Sequence, residues 1–291
     1  MIHPQHWTRV ARTRMRSGLR SAIHAGLGAA VALYCLAAAP AGAQGLTEMW
    51  NNPDGQLGSL APQNLKKHKG EAPMDLTGTY MINGEWRFLP LPDLKPRAQK
   101  LYNLSKKYDK QGKAFNNVIG QCWPPGMPIM MTRVWPIHVI QLPTAVVIIS
   151  NFENQVRWIY TDGRDHSDPD IVVPTYNGES IGHWEGDELV VHTKYLKSKK
   201  HYVDNSIPVS EDFEIVERFK KTEDGLEIKY TMTDPQNWEG EWVSTKKYKQ
   251  VDKVDFKEVH CLPDTNEGIP GTKDKYHVTL EEGLKELEEE E

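Results

Sequence analysis

Between Phe213 and Thr233 the chain alternates apolar and polar residues almost without a break. Phe213, Ile215 and Phe219 fall on one side of an extended segment; Glu214, Arg218 and Lys220 fall on the other. Beyond Thr222-Glu223-Asp224-Gly225, Leu226, Ile228, Tyr230 and Met232 continue the apolar side along a second run. A period of two interrupted by a turn predicts an antiparallel hairpin with one wet face. The same arrangement occurs twice upstream. Thr144 to Ser150 and Gln155 to Tyr160 flank Asn151-Phe152-Glu153-Asn154, and Ser180 to Trp184 and Leu189 to Thr193 flank Glu185-Gly186-Asp187-Glu188. Trp242 to Tyr248 offers a further strand, and Thr77 to Leu91 holds a first one, ended by Pro90-Leu91-Pro92. One internal helix is predicted, from Leu94 to Phe115. There Leu101, Leu104 and Tyr108 share a face, while Lys100, Lys106, Lys107 and Lys110 lie largely towards solvent. Cys122-Trp123-Pro124-Pro125-Gly126-Met127-Pro128 forbids regular structure.

Consecutive hairpins need no long crossover. The elements therefore predict a mainly β domain over residues 77–278, an antiparallel meander of roughly eight to ten strands closing into a lipocalin-like, calycin-type barrel with one or two peripheral helices. A two-sheet sandwich is the competing architecture. Residues 44–76 read as an extended lead-in. Residues 279–291, with the run LEEGLKELEEEE, read as a solvated acidic helix or tail.

Residues 1–43 read as an export signal. Arg9, Arg12, Arg14, Arg16 and Arg20 form a basic leader without an acid, an apolar run spans Ala25 to Ala39, and Ala41-Gly42-Ala43 supplies the small residues expected before cleavage. The apolar run is shorter than the roughly 20 residues a membrane span needs. The chain has 35 basic and 40 acidic residues; losing the five leader arginines leaves 30 against 40, a net charge of −10. Such a surface disfavours nucleic acid and anionic membrane as partners. A periplasmic protein, free of the membrane after cleavage, is expected. The oligomeric state stays open, a homodimer included. Cys122 and Cys261 outlast cleavage, and in an oxidising compartment such a pair is expected to form one structural bridge.

Polar chemistry concentrates between Val156 and His192. No HxH, HExxH or HxxxH pair, GxSxG elbow, phosphate-cradling loop or dinucleotide loop occurs, so no metal or other cofactor is called for. Acid–base chemistry remains. The phenol of Tyr160, at a strand end, is placed to reach the space inside the barrel. Arg164, in a Gly-containing turn, offers a two-pronged grip on a carboxylate, and His166 titrates near neutrality. The plain alternative is that Asp162-Gly163-Arg164 is only a turn, its arginine paired with Asp165 or Asp187. Trp158, Trp184, Trp238 and Trp242 could line an aromatic-binding barrel, or simply fill a core.

Cys-x-Pro-Pro-Gly-Met-Pro (122–128), Ile-Tyr-Thr-Asp-Gly-Arg-Asp-His (159–166) and Ser-Ile-Gly-His-Trp-Glu-Gly-Asp-x-Leu-Val-Val (180–191), with Glu217-Arg218-Phe219 and Thr233-Asp234-Pro235, resemble the blocks of a family of secreted proteobacterial proteins. Sphingomonad members of this family are cofactor-independent decarboxylases of lignin-derived phenylcoumaran acids. Phenolic acid decarboxylases offer a second, purely architectural similarity, a lipocalin-like barrel carrying tyrosine, arginine and glutamate around its substrate. His192 and Lys194-Tyr195 depart from the first pattern, where an aspartate and a glycine are expected. The resemblance implies a lyase acting on a small aromatic carboxylic acid, with ring opening to a stilbene. Arg164 would hold the carboxylate, Tyr160 would accept the phenolic proton, and His166 or His183 would return one. Trp158, Asp162, Thr175 and Trp184 would line the substrate. The competing readings are a non-enzymatic carrier of an apolar aromatic compound and a metal-dependent hydrolase using His183, His192 and His166 or Asp162.

Overall fold

The apolar residue at every second position finds its partners by closing the sheet on itself. In the computed structural model, which describes residues 52, 55–203, 206–262 and 277–290, nine strands form a closed barrel. They are β1 (Gly78–Ile82), β2 (Ile137–Gln141), β3 (Ala145–Ser150), β4 (Gln155–Tyr160), β5 (Glu179–Glu185), β6 (Glu188–Lys194), β7 (Glu214–Lys221), β8 (Gly225–Thr233) and β9 (Glu241–Gln250). Each pairs with its sequence neighbours, and β1 closes the ring by pairing with both β2 and β9. The fold is the lipocalin-like barrel expected, not the sandwich. The described residues belong to one unit, Asn52–Glu291. The leader, residues 1–43, lies outside them.

Nine is an odd number, and that has a geometric consequence. A ring in which every neighbour runs antiparallel alternates direction and closes only with an even count. Eight pairings are antiparallel, and β4 pairs parallel with β5 through Ile159–Ser180 and Tyr160–Ile181. A parallel pair requires a crossover of a dozen or more residues. Residues 161–178 supply it, and they carry most of the polar candidates.

The inner face is set by register. Ile148 opposes Arg157, Val191 opposes Glu217, and Tyr230 opposes Ser244. The cavity expected inside the barrel is filled by the chain itself. Residues 87–90 run across the inner face of β9. There Lys246 Nζ donates to the Arg87 carbonyl (2.5 Å), Ser244 Oγ to that of Leu89 (3.2 Å) and Trp242 Nε1 to that of Pro90 (2.8 Å). Side chains thus satisfy a strap that lacks regular structure. Its Phe88 ring lies edge-on to Tyr230 and Trp242, with centroids 5.3 and 6.2 Å away. This strap occupies the second half of the stretch in which one strand, Thr77 to Leu91, was expected.

Among the described residues four helices accompany this ring of strands: α1 (Pro62–Lys67), α2 (Pro96–Lys110), α3 (Ile129–Thr132) and α4 (Leu280–Glu290). In α2, Pro96 opens the first turn and Ala98, Leu101, Leu104 and Tyr108 form the buried face. That face packs on Phe115, Val278, Leu280 and Leu287 in a cluster separate from the barrel core. The acidic end is therefore a docked helix instead of a solvated appendage. Lys107 pairs with Glu286 at 2.7 Å. Cys122 and Cys261 form the disulfide, 139 residues apart in sequence. No described helix is long and apolar enough to cross a membrane.

Candidate functional site

Alternation along β4 decides where the first candidates point. Arg157 and Ile159 face inwards and are buried, so Trp158 and Tyr160 project from the outer wall. The expectation that the Tyr160 phenol enters the barrel is corrected by this register. The Trp158 and Tyr160 rings stack at 6.4 Å with 26° between their planes. Just past the strand, the Arg164 guanidinium sits 4.1 Å from the centre of the Tyr160 ring.

Arg164 is already engaged. Its Nε and one terminal nitrogen donate to Asp162 Oδ1 and Oδ2 at 2.8 and 2.7 Å. Asn64 Nδ2 donates to the same carboxylate at 2.8 Å, tying α1 to the crossover. Burial alone would push the Asp162 carboxyl up, but the hydrogen bonds from Arg164 and Asn64 outweigh it and hold its pKa below the usual range. The side chains of this pair are 2% and 8% exposed, which makes it a sheltered fork rather than a surface contact. The turn reading named Asp165 or Asp187 as partner; the structure gives that place to Asp162.

Trp158, Tyr160 and Thr175 line one groove on the outer wall, of about 410 Å³, together with Pro124, Tyr176 and Glu179. Two constraints shape its floor. Gly126 has φ +62°, and a Cβ there would lie 2.5 Å from the Tyr176 carbonyl and 2.8 Å from His201 Nε2. Only glycine lets the Pro-rich segment approach so closely. The disulfide then anchors the start of that segment at Cys122. Beneath the groove lies His201, edge-on to Tyr176 at 5.7 Å, its Nδ1 bonded to the Lys197 carbonyl at 2.9 Å. Burial drives its pKa down to about 4, so the ring is neutral at physiological pH.

Glu179 opens β5 and carries the groove's charge. It accepts from His166 Nδ1 (2.9 Å), the Ser167 amide (2.9 Å) and the Ser167 hydroxyl (2.6 Å). Burial pushes the carboxyl up, but these three donors prevail and keep it ionised. The His166 ring also stands edge-on to His192, 5.0 Å away, and His192 bonds Glu214 at 3.0 Å. His183 and Trp184 take no part in the groove. His183 pairs with Glu185 on an exposed stretch of β5, and Trp184 packs against the barrel core. Among the described residues no three His, Cys, Asp or Glu side chains converge as metal ligands.

No protein-family model matches this chain, and no curated protein matches it. Solved structures do. A mutant of the fluorescent protein UnaG is 12% identical, with 61% of this chain and 96% of that one covered and a TM-score of 0.28. Human cRBP IV is 14% identical, with 62% and 100% covered and a TM-score of 0.30. Superposition is loose at such scores, so the fold class rests on the strand order and register described above.

A second polar cluster escaped the sequence reading. Inside the barrel Arg157 donates to Glu217 through both terminal nitrogens, to Ser180 Oγ through Nε (3.1 Å) and to Thr193 Oγ1 (2.9 Å). Arg157 is 1% exposed and Glu217 0%. Nearby, Tyr230 and Tyr248 share a hydrogen bond of 3.1 Å, and burial raises both phenol pKa values far above their ordinary range. The signal was there to read. Glu217 falls between Ile215 and Phe219 on an apolar face, and Arg157 falls two before Ile159. A charge in register with a core face needs a buried partner.

Proposed function

We propose that the protein is a carrier of a small planar aromatic molecule, held in the outer groove between β4 and the crossover. One observation carries this reading: Trp158, Tyr160 and Tyr176 gather at a single concavity instead of entering the core. Large aromatics left on an outer wall in a concave site favour a flat apolar ligand. Glu179 sharpens the choice. Its ionised carboxylate disfavours an acid, and Arg164 can receive a carboxylate in two prongs only by releasing Asp162. A neutral phenol or aldehyde should therefore bind more tightly than the matching benzoate. Export to the periplasm belongs to this reading, and the Cys122–Cys261 bridge supports an oxidising compartment.

Tryptophan fluorescence titrated with vanillin and with vanillate tests the proposal. Quenching by vanillin should saturate, and Trp158→Ala should weaken binding roughly tenfold. Titrations without saturation, or an unchanged affinity in that variant, would sink it.

The lyase reading uses the same groove. What supports it is the Arg164 cation directly above the Tyr160 phenol, with the His166–Glu179 pair on the same crossover. A phenylcoumaran acid incubated with purified protein, without added metal or nucleotide, should then develop a stilbene absorbance. Arg164→Lys should abolish that turnover with the fold intact. Saturable binding without product leaves the carrier reading alone.

A further inference from the structure

The chain is acidic overall, with 35 basic against 40 acidic residues, yet three cations that form no ion pair among the described residues share one concavity away from the aromatic groove. Arg97, Lys199 and Lys200 line a pocket of about 380 Å³, where Glu211 is the only lining carboxylate among the described residues. Among the described residues none of the three cations forms an ion pair. The described lining therefore carries +3 from those side chains and −1 from Glu211, a net of +2. Like charges brought together without a counterion repel, and that cost persists unless an anion offsets it.

The floor of this pocket is tied together by hydrogen bonds to one buried carboxylate. Asp234, fully buried, accepts from the Ser210 amide and hydroxyl at 2.7 Å each and from Asn237 Nδ2 at 2.8 Å. Ser210 and Asn237 both line the pocket, so one buried carboxylate fixes two of its walls. The Lys95 amide donates to the Asn237 carbonyl at 2.9 Å, which pins the start of α2, and with it Arg97, to the same floor. The first turn of α2 contains no acid, and Lys95 makes no side-chain cap. The positive end of the helix dipole thus adds to the field of the three cations.

We infer that this pocket binds a tetrahedral dianion, a phosphate or sulfate group, through Arg97, Lys199 and Lys200. The net charge of the lining matches such a group. A planar guanidinium with two ammonium groups suits several oxygens arranged around one centre. The group could be a free inorganic ion or the ester head of a small molecule. The site is distinct from the aromatic groove and stands whether or not that groove binds a ligand.

Calorimetric titration of the purified protein with sodium sulfate, inorganic phosphate and phenyl phosphate, against sodium chloride of matched ionic strength, tests the inference. Sulfate and phosphate should give saturable heats that chloride does not. The double variant Arg97→Gln, Lys199→Gln should bind roughly tenfold more weakly or worse, the factor that one lost charge-assisted hydrogen bond amounts to. Circular dichroism of that variant confirms its fold. Tighter binding of phenyl phosphate than of phosphate assigns an ester as the ligand; equal binding assigns the free ion. No saturable heat from any of the three dianions, a chloride response equal to theirs, or full affinity in the double variant overturns the site.

Discussion

At the scale of single residues, the most consequential feature is a charge pair where the alternating pattern calls for apolar side chains. Arg157 and Glu217 are both fully buried, and every polar atom of the guanidinium fork has a partner on Glu217, Ser180 or Thr193. Breaking such a pair leaves an uncompensated ion in the core. Glu217→Ala should cost about 3 to 5 kcal/mol in urea unfolding, whereas replacing both partners by Met and Leu should cost clearly less. Equal losses in the single and double variants would show that the pair is not energetically coupled. His201 supplies a pH dependence of opposite origin. Its folded pKa, about 4, lies below the unfolded 6.5, so between these values the unfolded chain takes up a proton that the folded one refuses. Stability should fall as pH drops through that window, by about 3 kcal/mol in all, with the sum complete below the lower value. Urea titrations at two pH values spanning the window should show His201→Gln losing that slope. A slope unchanged in the variant would assign it to other groups.

Elements show where pattern reading succeeds. The three hairpins stand where alternation and turn residues place them, and the first turn has Glu153 and Asn154 at φ 57° and 50°. Two successive residues of that hand make the turn whose twist matches the strands it joins. The helix was expected from Leu94 to Phe115 and runs from Pro96 to Lys110, because Leu94 pairs instead with Trp238, and Ala114 and Phe115 with His277 and Val278, in short extended segments. The helix α4 was harder to place, since its six glutamates mask the two leucines that dock. Leu280 and Leu287 join the α2 cluster, which shares no buried residue with the barrel core. A chain truncated after Leu262 should therefore keep its barrel signature in circular dichroism while melting at a lower temperature. Collapse of the β signal in that truncation would mean that the two clusters fold as one.

For the molecule as a whole, the ring count governs the layout. Eight antiparallel pairings and one parallel one are the least departure from alternation that nine strands allow, and the departure creates the crossover on which Asp162, Arg164, His166 and Thr175 sit. The disulfide works at this scale as well, because the loop it closes contains every barrel strand but β1. In the chain-entropy account a loop of that length contributes about 5 kcal/mol. Replacing both cysteines by serine should lower the urea midpoint by a matching amount, without moving the Trp158 groove from its place on β4. The amino-acid order alone determined the β character, the hairpins, the pairing of the cysteines and the crowding of polar groups after Tyr160, since each follows from local period, turn chemistry or composition. Tertiary structure decided which side of the wall those groups occupy, that a strap fills the lumen, and that Arg164 answers to Asp162. Those outcomes depend on ring closure and on register across strands, and neither is written within reach of a single segment.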